Sequence, residues 1–200
     1  EDINLNNPDQ ITDPTWQRAL QVTRSVLYVP TQLWSFVRNS WADQQVDSRY
    51  LTNLAQTSIG AGFLFDAAKC EVLGKSASIV SAEQAIETLG YKRCAAILAV
   101  NYSCRRVLRL KPAATWQKIF REMMTTIEIG ARLGNRASNI GVEVGILAGF
   151  AKYAALSYLL VSFPDKFKKW WIATGAKGGQ KQELDAFGCE SYQVAAFILQ

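Results

Sequence analysis

Apolar positions along the chain recur at three- and four-residue spacing, and no run alternates apolar with polar in the manner of a strand, so the pattern predicts an all-α protein of about ten helices. Residues Glu1 to Asp13 are polar and read as an arm. Asp13-Pro14 supplies an N-cap and a proline at the first helical position, before Trp16, Ala19, Leu20, Thr23 and Leu27 at helical spacing. Val29-Pro30-Thr31 breaks that helix, and Leu33, Trp34, Phe36, Val37 and Trp41 form the apolar face of the next. Asp47-Ser48 signals a start before Tyr50, Leu51, Leu54 and Ala55, and a further helix spans Ala61 to Val72 until Gly74 stops it.

The second half is more sharply punctuated. Ser81 caps a short helix through Leu89, Gln84 completes a capping box, and Gly90 ends it. Long helices are expected over Tyr91 to Leu110, Ala113 to Leu133 and Gly141 to Phe163, separated by Lys111-Pro112 and Gly134-Asn135. Shorter ones follow over Lys166 to Ile172, which Pro164 is able to open, Gln182 to Phe187 and Ser191 to Leu199, with a glycine-rich loop at 175–179 and Gly188 between them. By this pattern residues 1–28 form an arm and leading helix, and 29–200 the main helical domain. The chain has no initiator Met and its last helix stops uncapped at Gln200, which suggests an excised piece whose end cuts into more structure.

Composition narrows the chemistry. Of 200 residues, 49% are apolar and 20% charged, as in a soluble globular domain. There is no histidine, which removes the commonest general base, the commonest zinc ligand and every Ser-His or Cys-His pair. Cys70, Cys94, Cys104 and Cys189 match neither a zinc spacing nor a secreted disulfide framework, and read as reduced structural thiols of a cytoplasmic protein. Gly141 to Phe163 is long enough to span a bilayer, but Glu143 and Lys152 lie inside it, so it reads as a core helix.

Charge is uneven. Between Gly90 and Ile140 ten Lys and Arg face two acids, a net of +8, whereas the rest of the chain sums to −3. Arg105, Arg106, Arg109, Lys111, Lys118 and Arg121 cluster around Pro112 and are the candidate surface for an anionic partner. With no aromatics interleaved beyond Trp116, base stacking is unsupported and nucleic acid is not the expected partner. The Gly175 to Gly179 stretch lacks the strand and the G-K-[ST] of a phosphate loop and reads as a surface turn. Glycines at 130 and 134 and at 141, 145 and 149 are expected to let two helices approach closely. Trp170 and Trp171 point about 100° apart on a helix, which makes the pair a candidate interaction patch.

Taken together, Val29-Pro30 before Leu33-Trp34, the run Leu54 to Ala68, the Ser81 to Gly90 stretch continuing into Tyr91-Lys92-Arg93, the core helix Gly141 to Leu156 and the segment from Gly188 to Leu199 resemble the HDOD domain. That family is a degenerate relative of the HD phosphohydrolases used in bacterial signalling. The resemblance runs from about residue 29 to 200. It assigns Glu122 to the first His position of the catalytic relatives, Lys152-Tyr153 to the His-Asp doublet and Ser191 to the later His. In those relatives the positions bind divalent metal and activate water for phosphate-ester hydrolysis. A protonated Lys cannot ligate a metal, and Tyr ligates poorly near neutral pH.

The resemblance therefore implies a cytoplasmic, non-enzymatic regulatory module without cofactor or metal, acting through contact with a protein partner. Glu122, Lys152, Tyr153 and Ser191 would form a degenerate pocket, in which Lys152 pairs with Glu122 or Glu143. One alternative is a sensor that binds a nucleotide second messenger at Lys152. A residual phosphohydrolase is disfavoured, because Glu122 and Glu143 alone are too few for a carboxylate metal site.

Overall fold

The computed structural model describes residues 3–26, 48–55, 79–107, 113–137, 139–175 and 178–200, with single positions between 35 and 39 and between 62 and 68. The breaks expected at Val29-Pro30, Gly74 and Pro112, together with Trp34, Trp41 and Cys70, lie outside the described residues. The chain is all-α, with no strand among the described residues. A 3₁₀ turn at Pro8–Gln10 precedes α1 (Pro14–Ser25), α2 (Ser48–Ala55), α3 (Ala82–Leu89), α4 (Tyr91–Val107), α5 (Ala113–Arg136), α6 (Val142–Ser162), α7 (Pro164–Thr174), α8 (Gln180–Phe187) and α9 (Ser191–Leu199). It divides into two compact units, one of residues 1–27 with 151–200 and one of residues 28–150.

In the first unit, the Asp13 carboxylate accepts from the backbone N–H of Thr15 and Trp16 and starts α1 as the sequence predicts. The Thr15 hydroxyl, then these N–H groups, hold its pKa below the ordinary carboxylate value. The leading helix α1 packs along α9 within this unit. Trp16 meets Tyr192 and Phe197 edge-on at ring distances of 6.0 and 5.8 Å, and the Gln193 side-chain amide donates to the Thr15 hydroxyl at 2.7 Å. Beside them α7 and α8 close an aromatic cluster around Phe167, which is fully buried. Trp170 and Phe187 sit 5.4 and 6.0 Å from its ring, and the Arg18 guanidinium lies over Phe163.

The second unit is built on α2, α3 and α4, which contact one another, and Leu51, Ala85, Ile86, Leu89, Cys94 and Leu98 are buried on them. Ser81 caps α3 by accepting from the Gln84 N–H. The Gln84 side chain reaches one residue beyond the capping-box position, accepting from Val80 rather than Ser81. Gly90 at φ 79° then turns the chain into α4, a conformation side-chain-bearing residues rarely adopt. Cys94 and Cys104 on α4, and Cys189 in the first unit, are free and buried, and burial pushes their thiols up to about 12, 12 and 11. They stay protonated and inert at neutral pH.

Three helices differ in their bounds from the sequence pattern. α5 runs past Leu133 to Arg136, because Gly134 packs against Gly141 instead of capping the helix. α7 opens at Pro164 and closes at Thr174, with Gly175 left-handed at φ 58°. α8 starts two residues early, since the Gly179 N–H finds the Gln182 side chain. Helix α6 is long and apolar enough to cross a membrane, yet 61% of its most apolar window is buried inside the protein.

Candidate functional site

Helices α5 and α6 carry most of the positions that the sequence singles out, and glycine sets their separation within the second unit. A Cβ at Gly130 would collide with the Gly145 carbonyl, one at Gly134 with the Gly141 carbonyl, and one at Gly149 with the Thr126 carbonyl. The Thr126 hydroxyl donates to the Gly149 carbonyl at 2.7 Å and locks the register. The small-residue ladders thus mark a backbone-to-backbone seam, as expected for helices drawn close.

The four positions of the degenerate pocket divide between the two units. Glu122, on α5, is solvent-exposed and belongs to the second unit. In the first, Lys152 is exposed on α6 while Tyr153 is half-buried. Glu143 is no partner for Lys152, because nine residues of helix separate them by about 13 Å along the axis. It lies instead 3.8 Å from Arg93 on α4.

Ser191 takes part in the start of a helix. It opens α9 and is buried; its backbone N–H donates to one Glu183 carboxylate oxygen at 2.6 Å and its hydroxyl to the other at 3.1 Å. Glu183, itself buried on α8, therefore caps the following helix from eight residues upstream. Glu190, the residue before Ser191, puts its own N–H on the Gln193 side chain. A hydrogen bond to the Glu190 carboxylate also raises the Tyr192 phenol above its ordinary pKa. Glu183 escaped the sequence reading. Its one sequence signal is that no Ser, Thr, Asp or Asn stands at the α9 N-cap, so the N–H groups there need an acceptor from elsewhere.

Removing that acceptor has a defined cost. Glu183→Ala strands a buried N–H and is expected to lower stability by about 2–3 kcal/mol, whereas Ser191→Ala keeps the backbone bond and costs about 1 kcal/mol. Urea denaturation of the two variants measures the difference, and equal costs would show that the backbone bond contributes little.

Of the basic cluster, Arg105, Lys118 and Arg121 are exposed on α4 and α5, and Arg106 lies on α4. Arg109 and Lys111 fall outside the described residues. The two tryptophans differ in burial. Trp170 is buried, with its ring against Gly178 and Phe187, and Trp171 is half-buried and stacks on Phe167 at 5.7 Å. The helical angle between them turns one ring into the core and the other along its edge. Among the described residues no group of three or more His, Cys, Asp or Glu side chains could hold a metal ion. No protein-family model, no curated protein and no solved structure matches the chain.

Proposed function

We propose that the chain is a non-catalytic regulatory module of the HDOD kind, working in the bacterial cytoplasm through contact with a protein partner. The observation that carries this reading is the commitment of Ser191. Where the catalytic HD relatives place a metal-binding histidine, this chain has a hydroxyl and N–H group that both donate to Glu183. A donor pair turned toward a buried carboxylate is a helix cap, with chemistry opposite to that of a ligand offering a lone pair. Lys152, in place of the His-Asp doublet, offers an ammonium that repels a divalent cation. The residues present do not fit the metal of the relatives.

A second reading has one observation in its favour. Lys152 is exposed on α6 and available to an anion, as a nucleotide sensor requires. A single experiment separates the readings: thermal unfolding of the chain and of Lys152→Ala with nucleotides, cyclic dinucleotides, Mn²⁺ and Mg²⁺, alongside an assay of phosphodiester hydrolysis. The regulatory reading expects no ligand-dependent rise in Tm and no turnover above the metal-only background. A ligand present at a hundred times its Kd would stabilise the fold by about 2.7 kcal/mol, so binding would be readily seen. A nucleotide-induced rise lost in Lys152→Ala would assign the sensor function instead. Metal-dependent turnover would overturn both.

A further inference from the structure

On α5 of the second unit, Glu122, Ile129 and Arg136 recur at intervals of seven, and all three are exposed. On a straight helix seven residues fall about 20° short of two full turns, so the three form one gently slanting line. Ile129 and Leu133 along this line are 51% and 59% exposed. The apolar surface continues onto Ile140 and Val144 at the start of α6, 47% and 38% exposed. The seam with α6 is formed by Thr126, Gly130 and Gly134, so the stripe lies beside that seam and not within it. Large apolar side chains contiguous on one flank are the usual mark of a protein contact.

The charges state what fits the stripe. Its acid and its base lie at equal distances on either side of Ile129, about 10 Å each way along the axis. Among the described residues neither Glu122 nor Arg136 has an ion-pair partner, whereas the neighbouring Glu128 and Arg132 already pair at 2.9 Å. A two-fold axis through Ile129 brings Glu122 opposite Arg136 of a second copy, twice, with the Ile129 side chains meeting on the axis and each Leu133 against Thr125 of the other copy. That is the self-complementarity an isologous interface demands. A parallel pairing would set acid on acid and base on base. Within the stripe Glu122, Glu128, Arg132 and Arg136 sum to zero, while the exposed cations Lys118 and Arg121 lie on the N-terminal side of it.

We propose that the chain self-associates as a two-fold homodimer through α5, antiparallel about Ile129 and oriented by reciprocal Glu122–Arg136 pairs. The inference is independent of the regulatory reading, because self-association is measured without any partner. Sedimentation equilibrium of the full chain is expected to show a monomer–dimer equilibrium. Glu122→Arg, or Arg136→Glu, puts like charges in contact at both ends and should weaken association about tenfold. The double reversal E122R/R136E restores both pairs and should recover the wild-type constant to within about threefold. All these side chains are exposed, so an unchanged thermal midpoint, measured dilute enough that every chain is monomeric, verifies that each variant is folded. A chain that stays monomeric up to about 1 mM overturns the proposal and leaves the stripe to a different protein. Dimerisation that ignores the single reversals, or that the double reversal fails to restore, overturns it equally.

Discussion

Gly145→Ala should disrupt the α5–α6 pair, lowering stability by about 3 kcal/mol or more, at the top of the range for overpacking a core. The added methyl has no side chain to push aside: it meets the carbonyl oxygen and carbon of Gly130, both backbone atoms of a helix. Relief requires the two helices to separate. That strains the hydrogen bond from the Thr126 hydroxyl to the Gly149 carbonyl and opens the seam at Gly134 and Gly141 as well. Gly130→Ala meets Gly145 from the other side and should cost a similar amount. Because both variants force the same separation, the double variant should cost less than the sum of the two. Gly179→Ala is the control, since nothing lies within 4 Å of its Cβ and its backbone is extended; its cost should stay below about 1 kcal/mol. Urea denaturation gives all four numbers. A Gly145→Ala chain as stable as the control would mean that the seam is not closed in solution.

Phe167→Ala should be the most damaging change in the first unit, at about 3–5 kcal/mol. Its ring is fully buried and lies within 6.0 Å of the rings of Trp170, Trp171 and Phe187. Truncation leaves a cavity among rigid aromatic rings, which collapse poorly because their only freedom is rotation about two side-chain bonds. For a chain of this length the loss corresponds to a fall of roughly 10 °C in Tm. Ile172→Ala, on the same helix and 75% exposed, should move stability by less than about 0.5 kcal/mol. A Phe167→Ala midpoint that matches that of Ile172→Ala would remove the aromatic cluster as the organiser of α7 and α8. The same cluster holds the Trp170 ring in the interior, against Phe187.

These expectations bear on the functional reading because they separate residues that hold the fold from residues free to meet a partner. Ser191, Glu183, Phe167 and Trp170 are buried and committed within the first unit. Lys152, Arg121 and the Ile129–Leu133 stripe face solvent. A regulatory module needs surfaces of the second kind on a frame of the first. Substitutions on the stripe should therefore change association while leaving the thermal midpoint of the monomer in place.

Local signals in the sequence determined the all-α class and most helix starts. Asp13-Pro14, Ser81 and Gly90 act through bonds and backbone angles within a few residues of themselves, so no tertiary context is needed to read them. The glycine ladders were legible for a similar reason, as a small residue every four positions has one steric meaning wherever two helices meet. The absence of histidine excluded whole classes of chemistry before any fold was known. Only the tertiary structure decided the rest. It carried α5 through Gly134 to Arg136 and drew the leading helix α1 onto α9, which lies far along the chain. It sent Trp170 inward, and it gave Ser191 to Glu183 across a turn between helices. Each of these depends on which groups lie close in space rather than along the chain. The free energy of burial and of satisfying a buried donor is set by such neighbours, and a one-dimensional pattern does not contain them.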